Sequence, residues 1–79
     1  MSKKIELPKT KLSYELLEKR LSLNLSQREM AKEIGISYPT YAQVEKGTYA
    51  LSLKILTKIA GYLEIDIKDA YSRYAEQEL

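Results

Sequence analysis

Ser26-Gln27-Arg28-Glu29-Met30-Ala31-Lys32-Glu33-Ile34-Gly35-Ile36-Ser37-Tyr38-Pro39-Thr40-Tyr41-Ala42-Gln43-Val44-Glu45-Lys46-Gly47 is the stretch that decides the fold. Ser26 and Glu29 form an S-x-x-E capping box, in which each side chain satisfies an orphan N–H of a first helical turn. Met30, Ala31 and Ile34 follow at helical spacing as a buried stripe. Gly35 stops this helix, because a residue without Cβ accepts positive φ at the turn. Ile36 then drops back to the core, and Ser37 caps a second short helix that ends at Gly47. Tyr41 and Val44 are its inward residues. Two capped helices and a tight turn make a helix-turn-helix.

The flanks read as more helix. Leu12, Leu16 and Leu23, with Leu17 and Leu21 alongside, recur at helical spacing, so a first helix capped by Ser13 is expected to about Ser22. Asn24 tolerates the left-handed conformation of a helix exit. After a loop at Gly47-Thr48-Tyr49-Ala50, Ser52 caps a fourth helix whose Leu53, Leu56, Ile59, Ala60 and Leu63 face inward. Asp66 and Asp69 start a fifth helix to about Gln77. The expected class is all-α, a compact five-helix domain over residues 12–79 with its helix-turn-helix at helices two and three. Residues 1–11 read as a flexible basic arm, with Pro8 and no period.

Seventy-nine residues make one domain, with no room expected for a separate effector. Cysteine and histidine are absent, which excludes disulfides and thiol chemistry and removes the usual zinc ligands and the neutral-pH proton shuttle. No nucleophile–base pair is visible, so neither an enzyme nor a cofactor or metal site is expected. No apolar run approaches the roughly 20 residues that span a bilayer. These features predict a soluble cytoplasmic protein without a membrane partner. The net charge of +2 is unevenly spread, with four Lys against one Glu in residues 1–11 and two basic against five acidic residues in 64–79. A chain basic in front and acidic behind suits one face turned to phosphate, although charged termini that only keep a small domain soluble give the same pattern.

Leu25-Ser26-Gln27, Ala31, Gly35, Ser37, Glu45, Gly47, Ser52-Leu53 and Lys58-Ile59-Ala60 resemble the lambda-repressor-like, or Cro-type, helix-turn-helix family. The resemblance covers residues 12 to about 70. It implies a bacterial or phage regulator that binds double-stranded DNA as a two-fold dimer with helix three in the major groove. Carried over by position, Gln27, Tyr38, Pro39, Thr40 and Gln43 face the groove, and the Gln43 amide suits adenine N6 and N7. Thr40 at its position also resembles a phosphate contact. Ser26, Arg28, Lys46, Thr48, Tyr49 and Ser52 are the phosphate candidates. Lys3, Lys4, Lys9 and Lys11 would reach backbone or minor groove from the arm. Arg20 and Glu45 match an ion pair between helices one and three.

The chain departs from the family pattern at two places, Tyr38-Pro39, where the family usually carries polar residues, and Tyr41. Pro39 disfavours helical backbone at the residue before it, which would start helix three at Pro39 and leave Tyr38 extended against a sugar or a thymine methyl. Tyr41 stands where the family prefers Ile or Val, and a buried phenol needs a partner for its hydroxyl. For dimerisation, helix five offers Ile67, Ala70, Tyr71 and Tyr74, joined by Ile55, Tyr62, Leu63 and Ile65. This predicts a symmetric homodimer that sets two recognition helices about 34 Å apart. The expected function is sequence-specific repression from an inverted-repeat operator, of phage, plasmid, toxin–antitoxin or restriction-control type, with RNA polymerase or a cognate protein as a further partner. The alternative is a protein-interaction or antitoxin-like module that keeps the fold and has weakened DNA reading.

Overall fold

The structure, a computed structural model, describes residues 10–48 and 50–76. They form five helices, α1 Lys11–Ser22, α2 Gln27–Ile34, α3 Tyr38–Lys46, α4 Leu53–Leu63 and α5 Ile67–Ala75. One core joins them. Leu12 and Leu16 of α1, Met30, Ala31 and Ile34 of α2, Tyr41 and Val44 of α3, Leu56, Ile59 and Ala60 of α4 and Ala70 of α5 are all buried in it. In so small a domain each large side chain serves several helices at once. The α2–α3 pair packs on α1 through α3 and on α4 through α2, and α5 closes the bundle against α1 and α4.

The start of α1 differs from the sequence expectation. Thr10 is the N-cap, with its Oγ1 accepting from the Ser13 backbone N–H at 3.0 Å. Ser13 lies one turn inside the helix, buried, and its hydroxyl donates to the Val44 carbonyl at 2.7 Å. It ties α1 to α3 rather than capping α1. Thr10 is itself buried, and the Lys11 N–H donates to the Glu76 carbonyl at 3.0 Å, so the domain takes in two residues expected in the arm. Lys3, Lys4 and Lys9 lie outside the described residues.

The middle of the chain follows its capping chemistry closely. Both halves of the Ser26–Glu29 box are formed, at 3.1 Å and 2.8 Å, and Ser37 and Ser52 accept from Thr40 N at 3.3 Å and Ile55 N at 3.2 Å. Asn24 takes positive φ after α1, and Gly35 and Gly47 do so after α2 and α3. Helix α3 begins at Tyr38, not Pro39, because Ser37 accepts a first-turn N–H and Pro39, at the second position, removes only a donor with no helical acceptor.

Leu53, expected to face inward, is outside, and so are two leucines of the first helical period. Leu21 and Leu23 are exposed at the end of α1, and Leu53, in the first turn of α4, is 72% exposed. Helix α4 ends on Glu64 at positive φ, although no Gly marks it in the sequence. Helix α5 ends at Ala75, short of Gln77, which lies outside the described residues, and Asp66 occupies its N-cap without a side-chain hydrogen bond.

Candidate nucleic-acid interface

The outer face of α3 rests on a buried polar base. Glu45, in its last turn, is 7% exposed, and its carboxylate accepts four hydrogen bonds. Arg20 of α1 donates through Nε at 2.7 Å and Nη2 at 3.1 Å, a two-pronged pair. The Tyr41 hydroxyl donates at 2.5 Å and Gln27 Nε2 at 2.8 Å. The third Arg20 nitrogen, Nη1, closes on the Leu25 carbonyl at 3.0 Å. Tyr41, a residue out of the family pattern, thus finds its hydroxyl partner on the turn above it.

The charges respond as this geometry requires. Burial alone pushes the Glu45 carboxyl up, but the hydrogen bonds from Arg20, Tyr41 and Gln27 outweigh it and hold the group below its ordinary value. The hydrogen bond to Glu45 raises Arg20 further. Burial, reinforced by the hydrogen bond and charge of Glu45, pushes the Tyr41 phenol well up. At neutral pH the cluster is a fixed ion pair with a neutral phenol.

From that base the residues expected to face DNA fan outward. Tyr38 is 37% exposed, Pro39 and Gln43 are exposed, and Thr40 is half-buried on the same side. The Gln43 amide forms no hydrogen bond among the described residues, so both its donor and its acceptor are available. Ser37 donates its hydroxyl hydrogen to Thr40 Oγ1 at 2.8 Å, which turns the Thr40 hydrogen away from the helix as a donor. Gln27 is half committed. One amide N–H holds Glu45, leaving its carbonyl oxygen and second N–H for another partner.

The phosphate candidates divide by how much of their donor capacity is engaged. Ser26 and Ser52 only accept at their caps, so each keeps a free O–H at an exposed helix start. Thr48 turns its hydroxyl back on the Gln43 carbonyl at 3.4 Å. Lys46 is exposed in the last turn of α3, and Tyr49 lies outside the described residues. Arg28 leans across to α3, its guanidinium carbon 4.4 Å from the centre of the Tyr38 ring. Sequence reasoning named both residues but did not pair them, since they stand on different helices across a turn and no helical period links them. It also missed the contact of Lys58, whose ammonium donates to the Gly35 carbonyl at 3.0 Å and so ties α4 to the turn between α2 and α3.

Of the residues expected at a dimer interface, Ala70 is 0% exposed. Its methyl is a core contact of α5 with its own bundle and offers nothing to a partner. Ile55, Tyr62, Leu63, Ile65, Ile67 and Tyr74 are partly buried against the same core, and the Tyr74 hydroxyl accepts from the Leu51 N–H at 3.2 Å. Tyr71, at 60% exposed, points outward. Among the described residues no metal-holding cluster occurs, and no helix is long and apolar enough to cross a membrane.

Comparison with known proteins agrees with this architecture. A family model described as helix-turn-helix matches residues 16–69. The chain is 38% identical over 68 residues to the cryptic phage CTXphi transcriptional repressor RstR of Vibrio cholerae serotype O1, covering 86% of this chain and 61% of that one. It is 39% identical over 62 residues to an uncharacterized HTH-type transcriptional regulator of Archaeoglobus fulgidus, covering 78% and 86%. The crystal structure of the clp gene regulator ClgR from C. glutamicum superposes with a TM-score of 0.58 over 84% of this chain and 86% of that one; at 21% identity that likeness bears on the fold alone. With five helices, a capped α2–α3 pair and this match over most of its length, the chain belongs to the lambda-repressor-like helix-turn-helix family.

Proposed function

We propose that the protein binds double-stranded DNA in a sequence-specific way and represses transcription, with α3 in the major groove and the starts of α2 and α4 on the flanking backbone. The observation that carries this reading is the outer face of α3. Gln43 and the Thr40 hydroxyl stand there with unengaged hydrogen-bonding groups, on a helix fixed from beneath by the Arg20–Glu45–Tyr41–Gln27 network. Donors held in place before binding lose little freedom on contact with a base edge. The free O–H groups of Ser26 and Ser52 supply the backbone contacts that set register. The phage repressor among its relatives points the same way.

The repressor acts as a homodimer. Tyr71 on the outer side of α5, beside half-buried Tyr74 at 6.3 Å between ring centres, supplies an aromatic anchor for a two-fold contact that the rims of Tyr62, Leu63 and Ile65 extend. The operator is then an inverted repeat.

Selection of bound sequences from random duplex DNA at two salt concentrations tests both points. The expected product is an inverted repeat with half-sites about 10 base pairs apart, bound less tightly as salt rises. Binding blind to sequence, or none, would favour a protein-interaction module instead. A single half-site would remove the dimer and leave the reading of DNA in place.

A further inference from the structure

Arg28 is held in an unusual way. It occupies the second position of α2, where the positive end of the helix opposes a cation, and the neighbouring Glu29 is engaged in the capping box. Among the described residues its guanidinium enters no salt bridge and no hydrogen bond. What holds it is the Tyr38 ring, 4.4 Å from the guanidinium carbon and inside cation–π range. That contact draws the charge from the start of α2 to the first turn of α3, and it leaves the N–H donors of the guanidinium unengaged.

A planar fork of N–H donors fits an acceptor with two oxygens or nitrogens side by side, and in the major groove that is the O6 and N7 edge of guanine. We infer that Arg28 and Tyr38 act as one reading unit, in which the Tyr38 ring positions the Arg28 guanidinium to take a guanine in the major groove. In this unit Arg28 touches the base and Tyr38 is a positioning residue. Its ring matters and its hydroxyl does not. The inference rests on the DNA-binding reading above, and differs from it in giving a cation of α2 a base to read.

The test selects bound sequences from random duplex DNA with the full chain and with Arg28→Ala, Arg28→Lys, Tyr38→Ala and Tyr38→Phe, and measures affinity for the selected site across salt. Both residues are exposed, so the variants keep the fold, which thermal melting checks. The expected result is a guanine at one pair of each half-site whose preference falls at least about fivefold in Arg28→Ala. Tyr38→Ala loosens the same pair, Tyr38→Phe restores it, and Arg28→Lys, lacking the fork, does not. A uniform loss of affinity with a shallower salt slope and an unchanged motif would make Arg28 a phosphate contact and overturn the unit. A changed preference in Tyr38→Phe would overturn it by making the hydroxyl a reader. Absence of any motif with the unaltered chain would overturn the DNA-binding reading and the unit together, whereas a motif that both alanine variants preserve overturns the unit alone.

Discussion

The two ends of α3 are built on opposite terms. At its C-terminal end Glu45 is buried under four hydrogen bonds from three elements, which engage Arg20, the Tyr41 hydroxyl and one N–H of the Gln27 amide. At its N-terminal end Tyr38 and Pro39 stand in solvent, and a cation–π contact joins the Tyr38 ring to Arg28 of α2. The base fixes where the helix lies; the tip determines what it meets. A buried ion pair adds little net stability over a well-packed apolar pair, but losing one partner leaves a charge without solvent. The base is therefore intolerant of change, and the tip is free to vary.

The sharpest way to break this contrast is Arg20→Ala. It strands the Glu45 carboxylate in the interior, and a loss of ~3 kcal/mol or more is expected in chemical denaturation. For a domain of this size that lowers the melting temperature by roughly 12 °C or more. A loss under about 1 kcal/mol would show that Glu45 escapes to water and that the base is not rigid. Tyr41→Phe removes one of the four donors and leaves the ion pair, so a smaller cost of ~1.5–3 kcal/mol is expected.

Acid probes the same network without mutation. Because the folded Glu45 carboxyl lies below its ordinary value, the unfolded chain takes up its proton first as pH falls. The stability it contributes is complete above the ordinary carboxylate range and disappears as pH drops through the folded value. Tyr41 has the opposite sign. Its raised phenol makes the fold lose stability as pH climbs past the ordinary tyrosine range of ~10. Denaturation midpoints of the natural chain and Tyr41→Phe, compared from neutral to strongly alkaline pH, should converge as the natural chain weakens. Curves that stay parallel would mean that neither burial nor the carboxylate raises the phenol.

How far the sequence could be read follows the same division. The capping box, Gly35, Asn24, Ser37 and Ser52 are local signals, and each acts in the structure within four residues of itself. The Arg20–Glu45 pair was legible through family resemblance, since nothing local links positions 25 apart. What stayed hidden are contacts of long separation without a period: Ser13 to the Val44 carbonyl, Lys58 to the Gly35 carbonyl, Arg28 to Tyr38. Thr10 is not evident as the cap because Ser13 offers the same chemistry nearer the first leucine; both are buried, and what separates them is the bond of the Ser13 hydroxyl to the distant Val44 carbonyl. Thr10→Ala should cost ~1 kcal/mol, as loss of an N-cap does, and a cost below ~0.3 kcal/mol would show that Ser13 can take over the cap.

The smallest expected effect is the most diagnostic. In the free protein Arg28 and Tyr38 share one exposed contact, and such a pair is worth about 0.5–1 kcal/mol. Arg28→Ala, Tyr38→Ala and the double variant, measured together in denaturant, isolate that coupling from everything else either side chain does. A coupling near that value with otherwise native stability means that the tip is ordered before DNA arrives, though barely. Zero coupling would leave the guanidinium loose in the free protein, and any shared effect of the two residues on a motif would then arise only in the complex. A value above ~2 kcal/mol would erase the contrast, because the tip would then be as firmly built as the base and could not change its reading without disturbing the fold.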